Sequence, residues 1–246
     1  MLTKIKYLLQ LFWELPGIGW KHLQLIRSVK NDRLTYLSLL RLIRIHQSVR
    51  QIEEKKLPGI FVEAGCALGG SAIVIANAKA KNRPLEIYDV FDQIPPPTAE
   101  DPPEVHDRYK TIASGQSKGI GSDQYYGYQK GLEAKVHDNL SVFGFPPDLH
   151  SISTHVGLVQ EQLNGINPVA FAHIDVDWHA PVSHCLENLF PRLMVGGSII
   201  LDDYNDWGGC KKATDAFLAK QHPNTFQLSY TKEALKITKI DYKASE

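Results

Sequence analysis

Apolar residues recur at three- and four-residue intervals through RLTYLSLLRLIRIHQSVRQIEE, residues 33–54, which predicts a helix or two before Pro58 and Gly59 stop it. The next apolar run, GIFVEAG, is short, rich in strand formers, and ends on an acid and a glycine. GGSAIVIANAKAK then resumes helical character near Ser71. LEIYDVF repeats the strand signature after Asn82, Arg83 and Pro84. Residues 131–142 read as a helix, 151–157 as a strand, 159–163 as a short helix, and NPVAFAHIDVD as a strand whose return helix is PVSHCLENLFPRL. Gly196 and Gly197 are expected to turn the chain into the strand SIILDDY. A helix over 211–220 precedes TFQLSY and ALKITKI, which pair as an antiparallel hairpin across Thr231, Lys232 and Glu233.

Strands alternating with helices predict an α/β fold with a mostly parallel sheet of seven strands and right-handed crossovers, and such sheets bind ligands beyond the carboxyl ends of their strands. The terminal hairpin is less expected of a doubly wound dinucleotide domain. Residues 1–56 are assigned to an N-terminal helical extension and 57–246 to the main domain. Within that domain, residues 95–128 hold PPPTAEDPP and SGQSKGIGSDQYYGY, a polar, irregular composition that suits a lid over a site; a merely structural insertion is the alternative. Near the start, Leu8, Leu11, Phe12 and Leu15 fall at helical spacing. That amphipathic helix fits packing on its own domain or on a second subunit better than lying on a membrane. A homo-oligomer, most simply a dimer, is the expected assembly.

The composition narrows the function classes. A chain of 246 residues with 43% hydrophobic and 22% charged side chains has the makeup of one large globular domain. Its 27 basic and 27 acidic residues cancel, so no overall field steers it toward nucleic acid or an anionic membrane. Cys66, Cys185 and Cys210 are too few and too scattered for a disulfide framework, which suits a reducing, cytoplasmic location. The N-terminus has neither the cleavage site of a signal peptide nor the length to span a bilayer, so no stable membrane insertion is expected.

Glu63, Gly65, Gly69, Gly70 and Ser71 lie where a strand hands over to a helix, and glycines there let the backbone approach a ligand. Asp89 ends the next strand, where a carboxylate can accept both hydroxyl protons of a ribose. Together they describe an adenosine-binding crevice. A nicotinamide dinucleotide is the rival ligand, but its G-x-G-x-x-G pattern is interrupted by Ala67. Glu63 also suits an ammonium and a sulfonium better than a pyrophosphate, which favours S-adenosylmethionine.

HIDVDWH places His173, Asp175, Asp177 and His179 at alternate positions, although the apolar stretch ends near Ile174, which puts Asp175 at the strand's carboxyl end. Asp202 and Asp203 end the neighbouring strand. Asp175 with that pair would make a hard, oxygen-rich site suited to Mg2+; alternatively, these acids cap helices or pair with Arg192, Lys211 or Lys212. His173 suits a satisfied core position better than a ligand position. His179, in the loop, is a candidate for proton transfer or an ordinary surface histidine. Tyr125, Tyr126 and Tyr128 either line an acceptor pocket or pin the loop.

FVEAGCALGGSA, YDVFDQIP, HIDVDWHAPVSHCLENLFPRLMVGGSIILDDYNDW and GCKKATDAFL resemble the macrocin O-methyltransferase (TylF-type) family over about residues 35–240. The resemblance implies a Rossmann-like class I methyltransferase fold that uses S-adenosylmethionine and Mg2+ to methylate a hydroxyl of a small-molecule acceptor, often a sugar on a natural product. It implies metal ligands Asp175, Asp202 and Asp203, with Glu63, Gly65, Gly69, Ser71, Asp89, Phe91 and Gly157 around the cofactor. Related catechol-type enzymes carry a lysine base three residues after the first metal aspartate, where this chain has Trp178, so proton removal falls to Asp175, His179 or water. A noncatalytic protein that binds an adenosine ligand is the alternative of a different class.

Overall fold

The computed structural model describes residues 18–231 and 234–241; the expected helix around Leu8 to Leu15 and the turn residues Lys232 and Glu233 lie outside them. Two helices, α1 (Trp20–Asn31) and α2 (Leu39–Glu54), come first. The second starts at Leu39 rather than Arg33, because the intervening residues are committed elsewhere. Arg33 is left-handed at φ 59°, the Leu34 carbonyl accepts from Gly70 N–H at 3.1 Å, and Ser38 Oγ caps α2 by accepting from Arg41 N–H at 3.2 Å.

Strands β1 (Ile60–Ala64), β2 (Leu85–Asp89), β3 (Ile152–Val156), β4 (Val169–Ile174), β5 (Leu193–Leu201), β6 (Phe226–Tyr230) and β7 (Leu235–Lys239) form one seven-stranded sheet in the order β3-β2-β1-β4-β5-β7-β6. The first five pair in parallel and β7 runs antiparallel between β5 and β6, the hairpin its sequence predicts. Every residue of β1 and β4 is buried, as central parallel strands require. Gly196 and Gly197 do not turn the chain. They lie inside β5, where pairing with β4 jumps from Val169–Leu193 to Phe171–Ser198, so they absorb an irregularity in the strand.

The remaining helices are α3 (Gly70–Ala78), α4 (Pro103–Ala113), α5 (Leu132–Val142), α6 (Pro147–His150), α7 (Val159–Gln162), α8 (His179–Arg192) and α9 (Gly208–Leu218). Alternation along β1 sorts them into two layers. Phe61 packs with side chains of α1, α2, α3 and α5, while Val62 and Ala64 pack with those of α8 and α9. The N-terminal helices thus belong to the same core as the sheet. α3 is apolar nearly all round and correspondingly buried, with α1 and α2 packed against it. Residues 95–128 are less irregular than their composition suggests. They contain α4, which sinks Val105 and Ile112 into the molecule. Among the described residues no helix is long and apolar enough to cross a membrane.

His46 on α2 is buried against the His22 ring and neither of its nitrogens has a hydrogen-bond partner. Burial, then the nearby His22 and Arg50, lower its pKa from 6.5 to about 4. The unfolded chain therefore takes up a proton first, and stability is lost as pH falls from 6.5 toward 4, by roughly 3 kcal/mol at 1.36 kcal/mol per unit. His46→Leu is expected to flatten this acid limb in urea melts between neutral pH and pH 5; an unaltered slope would assign it to another group.

Candidate active site

The carboxyl ends of β1, β2, β4 and β5 meet at one edge of the sheet, and the backbone there is unusual. Ala67, Phe91 and Asp177, in the loops after β1, β2 and β4, are left-handed at φ 49°, 49° and 55°. Such conformations collect where a site imposes them. Gly65, at φ 82°, has no room for a side chain, because a Cβ would stand 1.9 Å from the Asp175 carbonyl oxygen. Two cavities, of about 280 and about 100 Å³, open on this edge and share Gly65, Asp89, Tyr126, Asp175, Asp177 and Trp178 in their walls.

Asp175 follows β4, and Asp202 and Asp203 open the turn after β5. Each offers a carboxylate oxygen, all within 4.8 Å of one another. Burial, then the charges of Asp203 and Asp202, push Asp175 well above the ordinary carboxylate range. Burial, then Asp177 and Asp202, do the same to Asp203. Asp177 donates its N–H to Asp203 Oδ2 at 3.1 Å. Burial raises its own carboxyl to about 6 against the pull of Arg108. None of the three basic partners expected for these acids reaches them: Arg192 binds the Asn188 carbonyl, Lys211 binds Tyr204 and Asp215, and Lys212 binds Glu100. Arg41 comes instead from α2, donating to Asp202 Oδ2 at 2.6 Å and to Asp206 at 2.5 Å.

Of the residues expected around the cofactor, Gly65, Ser71 and Asp89 line the larger cavity, and Gly65, Asp89 and Gly157 the smaller. The Asp89 carboxylate accepts from the N–H groups of Cys66, Ala67 and Phe91 at 2.7, 3.2 and 2.8 Å, tying the first two loops together. Glu63, Gly69, Gly70 and Phe91 stand behind the wall. Gly70 is glycine because the chain crosses it, a Cβ there falling 2.5 Å from the Leu34 carbonyl. Glu63 is fully buried and bonded to His173, which is itself buried as expected of a core histidine. His179 is the first residue of α8 and lies off both cavity walls; its N–H donates to Asp101 Oδ1 at 2.7 Å. The three tyrosines divide: Tyr125 and Tyr126 line the larger cavity, whereas the Tyr128 hydroxyl donates to the Ile112 carbonyl at 2.6 Å and pins the loop.

The macrocin-O-methyltransferase (TylF) family description matches residues 33–225. The chain belongs to this family. It is an S-adenosylmethionine-dependent O-methyltransferase, and the nicotinamide and noncatalytic readings give way. The protein is 26% identical over 200 residues to demethyldecarbamoylnovobiocin O-methyltransferase of Streptomyces niveus, covering 76% of this chain and 68% of that one. Among solved structures, the O-methyltransferase NovP matches with a TM-score of 0.69 and 22% identity over 84% of this chain and 82% of its own. A TDP-rhamnose 3'-O-methyltransferase of calicheamicin biosynthesis matches with a TM-score of 0.55 and 17% identity, over 96% and 93%. These two likenesses establish a common fold.

Neither Asp177 nor Arg41 has a role assigned by the sequence at this methyltransferase site. Asp177 was visible in HIDVDWH, but β4 ends at Ile174, so alternation could not orient it; its left-handed backbone decides where it lies. Arg41 carries no signal at all, since it stands 161 residues before the aspartate it binds.

Proposed function

We propose that the protein methylates a hydroxyl of a small molecule of the sugar-bearing natural-product kind, with Mg2+ held by Asp175, Asp202 and Asp203. The carrying observation is the three carboxylates gathered within 4.8 Å on the wall of a cavity that also contains the cofactor turn. The donor set fits the ion: it is all oxygen, its like charges call for a cation, and Asp202 Oδ1 is buried without a hydrogen-bond partner. When bound, the ion would lower the acceptor hydroxyl's pKa and polarise its oxygen.

The chain's own groups do the remaining work. Gly65 and Ser71 border the space for the cofactor's amino-acid end, Asp89 accepts from the ribose hydroxyls, and Gly157 borders the adenosine in the smaller cavity. Glu63, Gly69, Gly70 and Phe91 support that turn from behind. Asp177 lines both cavities beside Asp175 and donates its N–H to Asp203 Oδ2, and with Asp175 committed to the triad it takes the hydroxyl proton. His179, off the wall, serves α8 instead. Residues 95–128 act as the lid: Trp178 Nε1 donates to the Pro95 carbonyl at 2.9 Å, and Arg108, Ile112, Tyr125 and Tyr126 line the larger cavity. Such closure excludes water and holds nucleophile and methyl near about 3–3.5 Å.

The test is transfer of labelled methyl from S-adenosylmethionine into a metabolite extract, with Mg2+ and with chelator. Transfer that chelator leaves untouched would remove the metal from this reading. Asp89→Ala is expected to weaken S-adenosylhomocysteine binding by about tenfold or more, since hydrogen bonds to a charged group are worth about 1.5–3 kcal/mol. Equal affinity by calorimetry would remove the ribose role.

A further inference from the structure

A row of three polar side chains runs beneath the site, across adjacent strands of the sheet. Glu63 on β1 and His173 on β4 are register partners, and Asp202 follows β5, the next strand over. His173 Nδ1 lies 3.0 Å from Glu63 Oε1, and its Nε2 lies 3.9 Å from Asp202 Oδ1, within ion-pair reach. His173 and Glu63 are wholly buried and Asp202 is nearly so. Glu63 Oε2, His173 Nε2 and Asp202 Oδ1 have no hydrogen-bond partner, so this row holds three of the seven such buried side-chain atoms among the described residues.

Apolar side chains would fill this space without the desolvation cost, as Phe61 and Phe171 do two residues earlier on the same face of the two strands. The polar row is therefore tied to what Asp202 must do. One Asp202 oxygen accepts from Arg41, and the other stands 3.9 Å from the imidazole. We infer that His173 is a positioning residue: anchored by Glu63, it fixes the Asp202 carboxylate in the orientation that faces Asp175 and Asp203, and thereby sets the site's affinity for a divalent cation. This role rests on the metal reading above. It also gives Glu63 a task on the metal side of the site, since it lines neither of the two cavities. Partners behind metal-binding side chains orient them, and their loss costs about 10- to 100-fold in metal affinity.

The experiment is calorimetric titration of Mn2+ into the full-length protein, with S-adenosylhomocysteine titrated separately to read the cofactor side and circular dichroism to read folding. His173→Phe keeps a ring and removes both nitrogens. It is expected to weaken Mn2+ binding about 10- to 100-fold and to leave S-adenosylhomocysteine affinity nearly unchanged. His173→Gln, whose amide nitrogen carries two donors, is expected to restore most of the loss. Should the Phe variant not fold, His173→Met against His173→Gln makes the same comparison. A folded variant without donors that binds Mn2+ as tightly as wild type overturns the role, as does an equal loss of both ligands. Wild-type protein that binds S-adenosylhomocysteine but no Mn2+ overturns the metal reading itself, and this role with it.

Discussion

Replacing Asp203 with asparagine is expected to lower Mg2+-dependent methyl transfer by at least about 10³-fold, because a Lewis-acid metal supplies several kcal/mol and each 1.36 kcal/mol is tenfold in rate. Its stability should move the other way. In chelator, Asp175, Asp202 and Asp203 crowd their charges in a buried site, and burial with like charge already pushes Asp175 and Asp203 up. Removing one charge relieves that repulsion, so metal-free Asp203→Asn should melt higher than metal-free wild type at neutral pH. Added Mg2+ should raise the melting temperature of wild type and not of the variant. Asp202→Ala should share the loss of turnover while leaving S-adenosylhomocysteine binding largely intact. Full activity in Asp203→Asn, or melting curves of both proteins that ignore Mg2+, would remove the three aspartates from the mechanism.

Gly65→Ala should be the most damaging single methyl in the protein. Gly65 N–H donates to the Tyr88 carbonyl and Asp175 N–H to the Ala64 carbonyl, each at 2.8 Å, so β1, β2 and β4 are locked around the turn. The added carbon would sit 1.9 Å from a backbone oxygen that cannot swing away. The left-handed φ of 82° adds about 1–2 kcal/mol for any residue with a Cβ. We expect more than about 4 kcal/mol of destabilisation and loss of S-adenosylhomocysteine binding. Gly131→Ala is the control: its φ is 70°, but nothing lies within 4 Å of the added atom, so only the roughly 1–2 kcal/mol backbone cost should appear. Equal urea midpoints for the two variants would mean that the turn can open at little cost.

The alternation of apolar strands and amphipathic helices was sufficient to set the order of the strands, the parallel sheet and its antiparallel ending, because buried parallel strands must be continuously apolar and hairpins need short polar turns. It also placed Asp89, Asp175, Asp202 and Asp203 together, since a parallel sheet carries all its strand ends to one edge. What it could not resolve were choices made between distant segments. The glycine at 70 reads as a ligand-binding glycine until Leu34 is seen crossing it. The segment after PPPTAEDPP reads as irregular until burial of Val105 and Ile112 reveals α4.

Glu63 shows the same division at the site itself. As an acid before a glycine turn it suits a cationic cofactor, yet its carboxylate points at His173, which β4 brings alongside from 110 residues away. Arg41 reaches Asp202 across 161 residues. The turn and the three aspartates were legible by themselves because local pattern and strand polarity determine where a chain's chemistry is collected. Only the tertiary structure decided which atoms orient it, because a buried charge takes its partner from whatever segment packing brings within hydrogen-bond reach, and sequence distance has no part in that.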